Sequence, residues 1–194
     1  MDFINNHLEE VSLIAKKLPK IAIQKMIEEL TALRARKGRL FIVGVGGSAA
    51  NASHACNDFR KLALIESYAV TDNVAELTAR TNDEGWENTF SSWLKCSDMN
   101  QNDALLVLSV GGGDVERNIS MNICRAVDYA TETQTRILSI VGREIGYVQG
   151  KSEVCIIIPS INPAMITPHS ESFQAIVWHL IVSHPKIKRE QTTW

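Results

Sequence analysis

Apolar residues recur at intervals of three and four along the first 36 positions, which is the spacing of one buried face on a helix. Pro19 falls between two such stripes, and proline interrupts a helix because it lacks a backbone donor. The pattern therefore predicts two amphipathic helices over residues 3–36. Their apolar faces need a partner, either the chain's own sheet or a helix across an oligomer interface, and both remain open. The stripes consist of Phe3, Ile4, Leu8, Val11, Ile14, Ala15 and Leu18, and of Ile23, Met26, Ile27, Leu30 and Leu33.

Short apolar runs alternate with helical patterns from residue 39 onward. Continuous apolar runs are typical of parallel strands that are buried on both faces. Their alternation with helices predicts an α/β fold with a parallel sheet, whose ligand site lies beyond the carboxyl ends of the strands. We expect strands at 39–44, 69–70, 104–109, 136–141 and 154–158, and helices at 48–61, 73–80, 87–94, 114–130, 145–149 and 168–183.

Composition narrows the class of protein further. The chain has 194 residues, 45% of them hydrophobic and 22% charged, which suits a single globular domain. A net charge of −2 argues against binding nucleic acid or a membrane surface by bulk electrostatics. No apolar run approaches the roughly 18 residues of a membrane span, and the first residues lack a signal-peptide pattern. We therefore expect a cytoplasmic protein with no nucleic-acid or membrane partner.

The four cysteines are widely spaced and form no CxxC pair. This pattern favours reduced, mostly buried thiols over a disulfide framework or a zinc finger.

Two glycine-rich segments follow the first and third predicted strands. The first is Gly44-Val45-Gly46-Gly47-Ser48 and the second is Ser109-Val110-Gly111-Gly112-Gly113-Asp114. Glycines let backbone amides approach an anion, and a helix N-terminus adds a favourable dipole. Neither segment is a Walker loop or a dinucleotide fingerprint. A phosphate cradle and a tight strand-to-helix turn both remain open, and the charge of Asp114 counts against an anion at the second loop.

Two histidines and two carboxylates lie on two predicted helices, the one after the first loop (48–61) and the last one (168–183). His54 and Asp58 share one face of their helix because they are four residues apart. Glu171 and His179, eight residues apart, differ by about 80° around theirs. The four side chains are a candidate ligand set for Zn²⁺ or a metal-free acid/base pair. Helix histidines are also common as structural residues.

Other polar residues give weaker signals. His169 and Ser170 suggest a nucleophile, but no nucleophile-elbow motif surrounds them. His7 and His184 are expected to be solvated.

Together these motifs resemble the sugar isomerase (SIS) domain family, and within it the phosphoheptose isomerases. The resemblance rests on residues 42–48, the helix with His54 and Asp58, residues 71–88, residues 106–114, residues 150–159 and the closing helix with His179. It implies a flavodoxin-like three-layer sandwich with an N-terminal helical pair. The expected division is an oligomerisation segment at 1–36 and an SIS domain at 37–194. The family also implies a homotetramer with active sites between subunits.

The implied activity is aldose–ketose isomerisation of sedoheptulose 7-phosphate or a related sugar in bacterial heptose synthesis for lipopolysaccharide and capsule. The resemblance assigns catalysis to Asp58 and His179, and Zn²⁺ binding to His54, Asp58, Glu171 and His179. It places the family's first-loop serine at Ser48 and a family aspartate at Asp83. Together with the glycine-loop argument, this predicts substrate binding by Gly46, Gly47, Ser48, Asn51, Asp83, Ser109, Gly111, Gly112 and Asp114.

Three departures from the family pattern bear on the substrate. Asp58 stands where the family has glutamate, and Glu171 where it has glutamine. The second loop lacks three hydroxyl donors of the family's phosphate cradle and contains Asp114. Each lost hydrogen bond to a phosphate removes about 1–1.5 kcal/mol. The loss favours an alternative function, a non-catalytic sugar-phosphate sensor or a replication-initiation adaptor, whereas the retained histidines favour the enzyme.

Overall fold

The computed structural model describes residues 2–191. Its helices are α1 (Asp2–Lys17), α2 (Lys20–Ala35), α3 (Gly47–Lys61), α4 (Val74–Glu84), α5 (Thr89–Cys96), α6 (Met121–Glu132) and α7 (Ile166–Ser183), with a 3₁₀ turn at Pro163–Met165. Its strands are β1 (Leu40–Val43), β2 (Ser67–Ala69), β3 (Ala104–Ser109), β4 (Arg136–Val141) and β5 (Val154–Ile157). The predicted interruption between the first two helices is confirmed, since α2 begins directly after Pro19.

The five strands form one parallel sheet in the order β2-β1-β3-β4-β5. This order confirms the predicted flavodoxin-like α/β architecture. The chain leaves β1 in one direction to reach β2 and returns on the other side to form β3. Loops after β1 and β3 therefore diverge and leave a crevice at the carboxyl edge of the sheet, where both glycine-rich segments lie.

Alternate residues of each strand face opposite helical layers. Leu40 and Ile42 of β1 pack into a core shared with α1, α2, α3 and α7. Phe41 and Val43 face the second core, formed with α4, α5 and α6. Both faces of the sheet are covered, which explains why the strands read as continuous apolar runs.

The two N-terminal helices differ in how far the sheet covers them. The buried side chains of α2 join the core beside β5 and α7. On α1 only Ile14 is buried. Phe3, Ile4 and Leu8 are 71%, 59% and 60% exposed. The chain's own sheet therefore partners α2 but leaves most of the α1 stripe in contact with solvent.

Two sequence predictions about the loops are wrong. Helix α6 begins at Met121 and not at Asp114, because residues 114–119 form a turn closed by a backbone bridge between Asp114 and Ile119. Residues 145–149 form turns and not a helix. The backbone amides of Tyr147 and Val148 donate to the carbonyls of Gly113 and Gly112 at 3.0 and 2.9 Å, so tertiary bonds replace the local helical ones.

All four cysteines are free thiols. Cys56 and Cys124 are buried, Cys155 is half-buried and Cys96 is exposed. Burial raises the pKa of Cys56, Cys124 and Cys155, which keeps these thiols protonated and unreactive near neutral pH.

Within residues 2–191, no helix combines the length and the apolar character that crossing a bilayer requires.

Candidate functional site

The first glycine-rich loop turns the chain sharply from β1 into α3. A Cβ on Gly44 would lie 2.5 Å from the carbonyl oxygen of Ser48, so only glycine fits there. Gly46 has φ +62° and precedes the first turn of α3, a conformation that glycine adopts without strain. No atom lies within 4 Å of where a Cβ of Gly46 would stand. The loop therefore presents open backbone at a helix N-terminus, and Ser48 behind it is buried.

Helices α3 and α7 run side by side, and they bring three of the predicted site residues together. The carboxylate Oδ2 of Asp58 lies 4.0 Å from Nε2 of His54 and 3.9 Å from Nε2 of His179. One candidate ligand atom from each of the three lies within 4.8 Å of the others. We call His54, Asp58 and His179 the α3–α7 triad.

Hydrogen bonding fixes which nitrogen of His179 faces the triad. Nδ1 lies 2.8 Å from the carbonyl oxygen of Ala175, which only accepts, so Nδ1 must donate. In the neutral ring Nε2 then carries a lone pair directed toward Asp58. The ring also stacks on buried Trp178 at a centroid distance of 3.5 Å, and His54 meets the same indole edge-on at 4.7 Å. Packing against Trp178 therefore orients both imidazoles.

The triad fits a divalent transition-metal ion. Imidazole and carboxylate are the ligands that Zn²⁺ takes in proteins, and a backbone carbonyl on the second imidazole nitrogen is the usual support for such a ligand. Asp58 is partly shielded, with its side chain 15% exposed, whereas His54 and His179 are 58% and 47% exposed. The triad is thus open to solvent on one side.

Glu171, the fourth predicted ligand, lies at the other end of α7. Its Oε2 is 2.4 Å from where a Cβ of Gly47 would stand, so the carboxylate lies against the first turn of α3. Eight residues of helix span about 12 Å along the axis, which separates Glu171 from His179. The group formed in this chain therefore has three ligands where four were predicted, and ligation by Glu171 stays a prediction.

Asn51 links the two helices between these positions. Its Nδ2 donates to the carbonyl of Glu171 at 2.9 Å and to Oε1 of Gln174 at 3.2 Å. Gln174 is fully buried, and its Nε2 has no hydrogen-bond partner within residues 2–191. Sequence reasoning missed Gln174, although its place one turn after Glu171 on the same helix is a usable signal.

The second glycine-rich loop is shaped by its own hydrogen bonds. Ser109 Oγ accepts from the amide of Gly112 at 3.0 Å. Asp114 Oδ1 accepts from the amide of Arg117 at 3.0 Å, so its carboxylate caps the following turn. A Cβ on Gly111 would meet no atom within 4 Å, which leaves open backbone at this point. The sequence expectation that Asp114 caps a helix is wrong in detail because it caps a turn.

Gln149 covers the next glycine of this loop and was not anticipated. Its Oε1 lies 2.2 Å from where a Cβ of Gly112 would stand, and Gly112 has φ +77°. Only the position of Gln149 after β4, at the carboxyl edge of the sheet, gave a hint of this contact.

Asp83 lies on the exposed face of α4, where its Oδ1 accepts from Nδ2 of Asn82 at 2.7 Å. Helix α4 packs against α5, and Leu77 of α4 packs against the second core. Asp83 is therefore on the helical layer opposite to the α3–α7 triad, and its role in substrate binding stays a prediction.

Known proteins resemble this chain over most of its length. No family model matches it. The phosphoheptose isomerase of Rhodospirillum rubrum is 28% identical over 165 residues, which cover 82% of this chain and 82% of the relative. That of Helicobacter pylori is 25% identical over 165 residues, covering 82% and 80%. The phosphoheptose isomerase structure from Neisseria gonorrhoeae superposes with a TM-score of 0.80 at 22% identity, covering 93% of this chain and 95% of the other. The predicted resemblance to SIS domains, and within them to phosphoheptose isomerases, is confirmed.

Proposed function

We propose that this SIS-domain protein is an aldose–ketose isomerase that acts on sedoheptulose 7-phosphate or a closely related sugar phosphate. The observation that carries the proposal is the α3–α7 triad, which joins an oriented imidazole to a carboxylate where α3 packs against α7. Two relatives with the name phosphoheptose isomerase match more than 80% of this chain. Apart from the hydroxyl donors missing from the second glycine-rich loop, no described feature favours the sensor or adaptor alternative.

The reaction moves one proton between neighbouring carbons. In the ketose-to-aldose direction a base takes a proton from C1 while an acid protonates the carbonyl oxygen on C2, which gives a cis-enediol. Loss of the O1 proton and protonation of C2 then yield the aldehyde. Asp58 is suited to be the base because its carboxylate is partly shielded from water. His179 is suited to be the acid in its imidazolium form, in which Nε2 also carries a proton, because Ala175 and Trp178 fix its ring.

A divalent ion at the triad would be held by His54, Asp58 and His179, with Glu171 as the fourth residue that the family resemblance implies. When bound, such an ion polarises a carbonyl oxygen as a Lewis acid. A side chain that ligates the ion is less free to transfer protons. Whether the activity depends on metal therefore also determines whether Asp58 and His179 act as proton carriers or as ligands. We propose Zn²⁺ because the ligands are imidazole and carboxylate.

The substrate phosphate is proposed to meet the open backbone of the second loop near Gly111. The N-terminus of α3 also favours an anion, but the carboxylate of Glu171 already lies against Gly47 there. Substrate contacts for Gly46, Ser48, Asn51 and Ser109 belong to this same proposal.

Turnover tests the function directly. The purified chain is incubated with sedoheptulose 7-phosphate, with and without added Zn²⁺, and aldose formation is followed by NMR. We expect conversion, with a rate that falls after treatment with a chelator and returns with Zn²⁺. Absence of conversion by folded, zinc-loaded protein would contradict this substrate.

A homotetramer is part of the proposal. The α1 stripe is largely uncovered, with Phe3 71% and Leu8 60% exposed, and apolar faces of this kind mark protein interfaces. The triad is also open to solvent on one side, whereas enediol chemistry benefits from exclusion of water. Neighbouring subunits that cover α1 and the open side of the triad would meet both requirements.

Replacing Leu8 with glutamate is expected to break the assembly, because the change puts a charge into an apolar interface. Light scattering should show a mass below that of the tetramer, with an unchanged far-ultraviolet circular dichroism spectrum. The matched control is Glu9→Ala, which alters an exposed neighbour on the same helix. A wild-type chain that is monomeric at micromolar concentration would refute the tetramer.

We further propose a cytoplasmic role in heptose supply for lipopolysaccharide or capsule. The four free thiols suit a reducing compartment.

A further inference from the structure

A second group of metal-ligating side chains lies where α1 meets α7, outside the triad. His7 and Glu10 are three residues apart on α1 and therefore share one face of the helix. His169 of α7 meets this face, and its Nε2 lies 2.7 Å from Oε2 of Glu10. One candidate ligand atom from each of the three residues lies within 4.8 Å of the others.

His7 is not solvated as the sequence suggested. Its ring is half-buried and stacks on the ring of His169 at a centroid distance of 4.8 Å. The reason is tertiary, since α7 is the element that covers this part of α1. His169 itself is 3% exposed, so three polar side chains meet in a sheltered place.

Two imidazole nitrogens in this group have no partner. Nδ1 of His7 and Nδ1 of His169 are both buried and make no hydrogen bond within residues 2–191. Buried polar atoms are normally paired, and an exception calls for an explanation such as an ion or a water molecule. The unpaired Nδ1 of His7 is an observation independent of the clustering, and it indicates unused capacity for a ligand, whereas His169 offers Nε2, the atom that faces Glu10.

Hydrogen bonds hold the carboxylate of Glu10 in place. Its two carboxyl oxygens each meet a polar side chain, Asn162 at one and His169 at the other. Nδ2 of Asn162 donates to Oε1 at 2.8 Å and leaves Oε2 directed at His169. A hydrogen-bonded carboxylate of this kind resembles the supported ligands of metal centres.

We propose that His7, Glu10 and His169 bind a second divalent transition-metal ion of the Zn²⁺ type. Two imidazoles and one carboxylate favour Zn²⁺ or Co²⁺ over Mg²⁺ or Ca²⁺, which prefer oxygen ligands. The ion replaces the proton shared by Glu10 and His169. These two ligand atoms then separate to about 3.4 Å, as two ligands at about 2.1 Å in tetrahedral geometry require. The bound ion joins α1 to α7.

The test isolates this site from the triad. In a His54→Ala/His179→Ala background, Co²⁺ is titrated into the chain and followed by its visible ligand-field absorption, with bound metal counted by mass spectrometry after dialysis. We expect one Co²⁺ per chain, displaced by Zn²⁺. Adding His7→Ala should weaken binding by at least about tenfold, the scale on which even supporting residues act. His184→Ala is the matched control and should change nothing.

Absence of Co²⁺ binding in the folded double variant overturns the proposal, and so does binding that His7→Ala leaves intact. Glu10→Gln keeps the shape of the side chain and provides a second test, with loss of binding expected, if His7→Ala is poorly folded. Hydrogen exchange adds a separate readout, because bound Zn²⁺ should slow the exchange of α1 amides. None of these measurements depends on isomerase activity, so the proposal and the proposed function fail or stand separately.

Discussion

Replacing His179 with alanine is expected to lower turnover by about 10²–10⁴-fold, the usual contribution of a positioned acid or base. The change removes the nitrogen that lies 3.9 Å from Asp58, and with it the predicted proton donor or metal ligand. The structural loss is small, because the imidazole is 47% exposed and makes one hydrogen bond, to Ala175. The folded assembly should therefore survive.

The measurement is the NMR rate of aldose formation at saturating sedoheptulose 7-phosphate, with circular dichroism and light scattering on the same samples. His184→Ala is the matched control, since it removes a histidine just beyond the end of α7 and outside the triad. Full activity in His179→Ala would contradict the catalytic role of His179. If His179→Ala does not form the folded assembly, the milder variant His179→Gln tests the catalytic role in its place.

Replacing Asp103 with alanine should destabilise the chain by about 3–5 kcal/mol, the range for breaking a buried ion pair from one side. Asp103 is 2% exposed. Its carboxylate accepts from the Arg39 amide at 2.9 Å and from Nη2 of Arg39 at 2.7 Å, and from the Asn100 amide at 3.1 Å. The side-chain hydrogen bond to Asp103 raises the pKa of the Arg39 guanidinium, and the bonds together hold the entry to β1 against the entry to β3.

Urea denaturation monitored by fluorescence measures this loss as a lower midpoint at an unchanged slope. Glu132→Ala is the control, because this carboxylate is exposed at the end of α6. An Arg39→Ala/Asp103→Ala double variant should lose less than the sum of the single losses, since both partners of the pair are then gone. A decrease in the free energy of unfolding of under about 1 kcal/mol in Asp103→Ala would contradict a central role of this carboxylate in stability. Turnover per folded molecule should be unchanged, because Asp103 lies at the amino end of the sheet.

Strand positions were readable from the sequence where burial dominates. The apolar runs at 104–109 and 136–141 match β3 and β4 residue for residue. Each is covered on both faces, Gly142 follows β4 directly and Gly111 lies two residues after β3, so the local pattern and the tertiary environment agree. The helix α3 after the first glycine loop was likewise predicted to within one residue.

Loop conformation was not readable in the same way. The start of α6 was placed seven residues early, because Asp114 resembles a helix cap. Gly112 and Gly113 take φ values of +77° and +75° and lead into a closed turn. The segment at 145–149 contains a helix-compatible pattern, but its amides bond to the second glycine loop. Long-range bonds of this kind leave no periodic signal in a sequence.

The sequence by itself determined the α/β class, the two glycine loops at one edge of the sheet, and the pairing of His54 with Asp58 on one helical face. These features depend on short-range periodicity and on the chirality of parallel connections, which a single chain encodes locally. Only the tertiary structure decided which residues of α7 meet α3. Their angular positions around the helix allowed Glu171 and His179 to face the same side. The axial rise of about 12 Å between them, however, places Glu171 at Gly47 and His179 at Asp58. The tertiary structure also decided that His7 of the first helix stacks on His169 of the last. These residues are distant in sequence, so only the packing of α1 against α7 brings them into contact.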